Sequence, residues 1–228
     1  MLMNAAGKQD ATGPRAMTDL TTEFAELCDT FLREGAAAVL RQAEGGANLN
    51  AQAPDGTPFL HWLMSMIGSH QRLTSKERVT LITTLLDLGA DPHVLDGDGN
   101  SILLEAVLDY DLAMLKLLLE RGVDPNCGCG EPFETLYDFA LFDFDFEFGA
   151  MWTEPVSTSL AEDRADADVW LRRLDREAQL GGCRRPDYLF LLRRHGAQTS
   201  PEMARGLGGK SSDGIVWHDG QWRLKRNW

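Results

Sequence analysis

The chain has 228 residues and a formal net charge of −13, from 35 acidic and 22 basic side chains. That length is enough for one elongated or two compact domains with a sizeable core, and the negative balance argues against direct binding of DNA or RNA. Four scattered cysteines, Cys28, Cys127, Cys129 and Cys183, make no disulfide framework, which predicts a reducing, cytoplasmic compartment.

Met1 to Leu20 is polar and rich in small residues. It lacks the apolar segment of a signal peptide, and no stretch of the chain is apolar enough to span a bilayer. Residues 1–17, with Gly7, Gly13 and Pro14, read as a disordered tail before a folded region over 18–200. Phe24, Leu27, Phe31 and Leu32 fall at helical spacing, Gly35 interrupts, and Ala36 to Ala43 resumes a helix that ends at Gly46-Ala47-Asn48-Leu49-Asn50. Asp55-Gly56-Thr57-Pro58 is a turn ahead of a helix from Leu60 to Ile67. A second helix is predicted from Ser75 to Leu88, with an extended link over Gly68 to Lys76.

Leu85-Leu86-Asp87-Leu88-Gly89-Ala90-Asp91-Pro92-His93 returns 33 residues later as Leu118-Leu119-Glu120-Arg121-Gly122-Val123-Asp124-Pro125-Asn126. Each copy is a helix end, with an apolar pair, a glycine placed for the left-handed conformation and an Asp-Pro step that cannot continue the helix. Between the copies, Asp96-Gly97-Asp98-Gly99-Asn100 feeds predicted helices over Ser101–Leu108 and Asp111–Arg121. Those acids look like the start of a calcium loop, but Ser101 stands where such a loop needs glycine and Val107 where it needs glutamate, so a plain turn explains them. Cys127-Gly128-Cys129-Gly130 reads as a hairpin tip, because no further Cys or His follows at a metal-ligand spacing.

The repeated phrase and the turn before each helix resemble the ankyrin repeat, with its aspartate-glycine turn, Thr-Pro-Leu-His-x-Ala helix start and Leu-Leu-x-x-Gly-Ala-Asp end. The resemblance implies an all-α fold, an ankyrin-repeat solenoid of about four helix pairs. It also implies that His61, in the histidine slot of the family, hydrogen-bonds backbone and steadies a turn instead of acting as a base. A fourth unit begins at Thr135-Leu136-Tyr137-Asp138-Phe139-Ala140, similar to a variant start with aspartate in that slot.

From Leu141 to Phe148 the pattern departs from the family. Phe142, Phe144, Phe146 and Phe148 alternate with Asp143, Asp145 and Glu147, so an extended segment would place the rings on one face and the acids on the other. Either the rings bury against neighbouring helices, or the segment is an exposed edge guarded by acids. Met151 to Thr158 reads as loop. Ser159 is placed to cap a helix through Trp170, Leu171 and Leu174 to Gly181-Gly182, and Pro186 opens another that ends at His195-Gly196-Ala197. The last repeat is thus expected to carry an insertion over about 141–182. Residues 201–228 read as a linker and a C-terminal β-hairpin turning at Asp219-Gly220, with Trp217 opposite Trp222.

Between Asp87 and Glu147 fifteen acids face only Lys116 and Arg121, so this segment holds the whole net charge. No phosphate loop, nucleophile elbow or zinc-protease motif is present. The reading is therefore of a non-enzyme without metal or cofactor, which binds a protein and neither nucleic acid nor membrane and is monomeric when free. The composition and the family resemblance suggest an immunity protein that holds a cognate bacterial toxin with a basic surface. A scaffold joining two cellular proteins is the alternative, and a host-directed effector a third. The expected contact residues are Trp62, Asp96, Asp98, Glu105, Tyr110, Asp143, Phe144, Asp145, Glu147 and Trp152, with aromatic anchors supplying affinity and acids the association rate.

Overall fold

The computed structural model describes residues 14–69, 73–129, 133–149 and 166–206, together with the backbone of two short strands, 215–218 and 221–224. Ten helices follow one another among the described residues: α1 (Pro14–Glu34), α2 (Ala36–Glu44), α3 (Phe59–Ser69), α4 (Ser75–Asp87), α5 (Leu103–Leu108), α6 (Leu112–Glu120), α7 (Leu136–Gly149), α8 (Ala167–Gly181), α9 (Asp187–Arg194) and α10 (Ser200–Gly206). The protein is thus mostly helical. Strands β1 (Ile215–His218) and β2 (Gln221–Leu224) pair antiparallel, Ile215 opposite Leu224 and Trp217 opposite Trp222. Asp219 and Gly220, the expected turn between them, lie outside the described residues, as do residues 1–13 of the expected tail.

The helices form two rows. α1, α3, α5 and α7 pack one on the next, and α2, α4, α6 and α9 do the same behind them. Each helix turns an apolar stripe inward, so that Leu27, Val39, Phe59, Leu63, Leu85, Val107, Leu118, Tyr137 and Leu189 belong to one continuous core. Three of the helices start where the sequence supplies a side-chain cap. Thr74 and Glu77 close a reciprocal capping box on α4, and the Asp111 carboxylate accepts from the Met114 N–H at the start of α6.

They end by one device. At the end of α6 the Val123 N–H donates to Leu118 O and the Gly122 N–H to Leu119 O, with Gly122 at φ +85°. This closure satisfies the last carbonyls and needs a left-handed residue, which glycine adopts without steric cost. The ends of α2, α4 and α9 close in the same way.

Successive units are clamped at these ends. The Asn50 side chain donates to Gly89 O (3.1 Å) and accepts from the Asp91 N–H (2.8 Å). Asn126 does the same to Gly196 O (3.0 Å) and the Gln198 N–H (2.8 Å). At the middle boundary His93 holds the corresponding slot, and an ion pair from Arg121 to Asp87 (2.9 Å) spans α6 and α4. Because the Asn126 clamp passes over α8 and closes on the end of α9, α7 and α9 are the two helices of one unit. Between them the chain includes α8.

Three local expectations are corrected. The segment Leu141–Phe148 is neither edge nor strand but the continuation of α7. Leu136, Tyr137, Ala140, Leu141 and Phe144 fall on one helical face and are all buried, so the alternation of phenylalanine with acid is overridden by the longer apolar period. The link between α3 and α4 is shorter than expected, because α3 runs on to Ser69, while α4 begins at Ser75 as the pattern predicts. α8 starts at Ala167, where the Asp166 carboxylate accepts from the N–H groups of Asp168 and Val169, and Ser159 lies outside the described residues.

Candidate binding surface

The loop tips that connect the units are held by side chains from the first row. The His61 ring is buried and places Nε2 2.9 Å from Val94 O, so it braces the following turn. Burial holds its pKa below the ordinary histidine range, which keeps the ring neutral and unsuited to bind an anion. Asp138, in the equivalent slot of the last unit, accepts from the Ser200 N–H (2.8 Å) and from the Ser200 hydroxyl. Burial raises the pKa of this carboxyl despite those donors.

Trp62 on α3 and Phe139 on α7 directly follow His61 and Asp138, and Glu105 lies on α5 between those helices in the chain. Trp62, expected as an outward anchor, is partly buried. Its ring meets Phe24 and Phe31 edge-on, at centroid distances of 6.3 and 5.9 Å, and stacks on Phe59 at 6.0 Å. The long helix α1 covers it, and that coverage supplies the packing area an aromatic ring needs.

Glu105 is different. It is half-buried, and its pKa is raised first by burial and then by the charges of Asp109 and Asp96. No cation among the described residues is given to it. Asp96 spends its carboxylate inside its own turn, accepting from the N–H groups of Asp98 (3.0 Å) and Asn100 (2.8 Å) and from the Asn100 amide (2.9 Å). Asp98 stands exposed at the tip beside it. Asp98, Glu105 and Asp109 therefore form a negative surface from the loop tip, along α5, to the turn at its far end, with the Asp96 charge behind it. The acidic excess between Asp87 and Glu147 foreshadows this crowding, although the Asp96 carboxylate itself is internal.

The far turn contains the one non-glycine residue with positive φ among those described, Tyr110 at +51°. The Asp111 N–H donates to Ala106 O and the Tyr110 N–H to Val107 O, so Tyr110 fills the position that glycine holds at the end of α6. A left-handed side-chain-bearing residue costs roughly 1–2 kcal/mol, and its contacts show what the position holds in place. The Tyr110 hydroxyl donates to Asp143 Oδ2 (2.8 Å), Arg184 lies 3.6 Å over the ring, and Tyr188 meets it edge-on at 6.0 Å. On either side, Asp111 pairs with Arg78 (2.7 Å) and Asp109 packs against Gly68.

The structure thus joins Tyr110 and Asp143, and sets them apart from Asp96 and Asp98 at the opposite end of α5. Phe144 is buried, 1 % exposed, beneath Tyr188, and so serves the core instead of contacting a partner. Asp145 is half-buried on α7, where Phe142 stacks on Phe146, itself 79 % exposed. The Glu147 side chain and Trp152 lie outside the described residues. Sequence reasoning missed Arg78, Asp109, Arg184 and Tyr188. The nearest signal was that Tyr110 sits just where an αL residue is needed between two helices.

Among the described residues no three His, Cys, Asp or Glu side chains group to hold a metal ion. The Cys129 thiol donates to Phe133 O, and burial pushes its pKa up to about 12, so it is protonated at neutral pH. None of the helices described is long and apolar enough to cross a membrane. Compared with protein-family models and with curated protein sequences, the chain matches none.

Proposed function

We propose that this chain is a non-enzymatic binding module, an ankyrin-type solenoid capped by its C-terminal β-hairpin, which holds a partner protein with a basic surface. The two helix rows, the shared helix ends and the asparagine clamps support the solenoid reading, because a repeat stack buries its core by making the same contacts at each boundary. The observation that carries the binding reading is the surface around Glu105. A half-buried carboxylate crowded by Asp96 and Asp109, and without a cation of its own, gains most when a partner supplies a lysine or arginine.

Within this class the best reading is an immunity protein that inhibits a basic toxin. An inhibitor of a lethal enzyme needs nanomolar affinity or tighter, about −12 kcal/mol, whereas a scaffold works at micromolar. The test is to express the product of the reading frame adjacent to this gene and measure its affinity for this protein and its activity in the complex. Nanomolar binding with loss of toxin activity supports the reading. Micromolar binding with the activity intact would replace it with the scaffold.

A further inference from the structure

One side chain at the turn between α5 and α6 touches both the middle of α7 and the residues just ahead of α9. Tyr110 bonds through its hydroxyl to Asp143 on α7 and is covered on its ring by Arg184, which precedes α9. Arg185, the next residue, forks onto Asp175 in the middle of α8 with contacts of 2.6 and 2.9 Å. The far half of α8 is therefore linked through Arg185, Arg184 and Tyr110 to the turn between α5 and α6. The first turn of α8 is held separately, by Arg193 on Asp168 (2.9 Å).

We propose that Tyr110 is a positioning residue, a pin that ties the middle of α7 and the segment entering α9 to the turn between α5 and α6, and fixes the far half of α8 against them. Two observations converge on this. The residue keeps a strained left-handed backbone that glycine would adopt freely, so the side chain and not the turn explains its presence. Its polar and its aromatic part are both engaged, the hydroxyl with Asp143 on α7 and the ring with Arg184 ahead of α9. A ring under a guanidinium is a contact strong enough to hold the segment that carries the arginine. This inference does not depend on the identity of the partner, or on the binding reading.

Hydrogen exchange on the full chain, read by mass spectrometry, tests it with four variants: Tyr110→Gly, Tyr110→Phe, Arg184→Ala and the double variant Tyr110→Gly/Arg184→Ala. Amides of residues 176–185 should exchange about fivefold faster in Tyr110→Gly and in Arg184→Ala, the size expected for one lost cation–π contact. The double variant should show no further increase, and Tyr110→Phe, which keeps the ring, should stay close to the parent over the same residues. The first turn of α8 and the whole of α4 should be unchanged throughout. Unaltered exchange at 176–185 in Arg184→Ala overturns the proposal, and so does acceleration spread evenly over all helices, which would make Tyr110 a general stabiliser only.

Discussion

Asn126 repeats the work of Asn50: each carboxamide donates to the carbonyl of a glycine at the end of the next unit and accepts the N–H two residues further on. A side chain that mimics a paired backbone strand in this way fixes both the spacing and the register of neighbouring units. Since Asn126 reaches Gly196 and Gln198 across the whole insertion, Asn126→Ala should destabilise the protein by about 1 kcal/mol, at the modest value expected for exposed hydrogen bonds. Asn126→Asp should cost at least as much at neutral pH, because a carboxylate cannot donate to Gly196 O. Urea denaturation midpoints check both, and an unchanged midpoint would mean that α9 does not depend on this clamp.

At Gly122 an added Cβ meets nothing within 4 Å, while φ stands at +85°. Any cost of Gly122→Val therefore comes from the backbone and not from a clash. The expected loss is more than about 1 kcal/mol, and Gly122→Asn, which tolerates the left-handed region, should recover much of it. Thermal or urea midpoints for the pair separate strain from packing.

Asp138 gives the protein a pH dependence of unusual sign. Its folded pKa is raised by burial, even though Ser200 and Thr135 donate to it. The folded state thus prefers the protonated form, and the stabilisation is fully present below the unfolded carboxyl pKa, about 4, and declines as pH rises through the folded pKa. Asp138→Asn keeps an oxygen to accept from Ser200 and never ionises. The variant should therefore gain on the parent as pH is raised from 4 to 7, and denaturation midpoints at several pH values would show it. A parent that gains on the variant over that window would mean that hydrogen bonding outweighs burial.

The helix ends were legible because one residue type does the work: a glycine followed by an apolar residue and a breaker marks a left-handed closure whatever surrounds it. α7 was less legible. Its residues satisfy a period of two over 141–148 and the helical period over 136–144, and only the neighbouring core, which buries Tyr137 and Phe144 together, decides between them. The surroundings of Trp62 are hard to read for a similar reason. Its exposure depends on α1, whose Phe24 and Phe31 come from a stretch that carries none of the repeat motifs. Arg184 meets Tyr110 only through the return of an insertion, a contact that no local pattern encodes.

The acidic surface yields the last prediction. The surface around Glu105 is proposed to receive a cation from the partner, while Asp143 is already engaged by Tyr110 and Trp62 by three rings. Glu105→Gln combined with Asp98→Asn should therefore weaken binding to the true partner chiefly through a slower association rate, with a flatter dependence on salt, because exposed charges steer encounter more than they hold the complex. Loss of the half-buried Glu105 charge should also quicken dissociation, by roughly 1.5–3 kcal/mol if a partner cation bonds to it directly. Trp62→Ala should act instead on stability, by about 3 kcal/mol, the low end for removing a large aromatic ring from a packed site. Kinetics at low and high salt, with denaturation midpoints for the same variants, distinguish the two roles. If Trp62→Ala quickens dissociation at unchanged stability while Glu105→Gln/Asp98→Asn leaves both rates alone, the contact lies on α3 and not on α5.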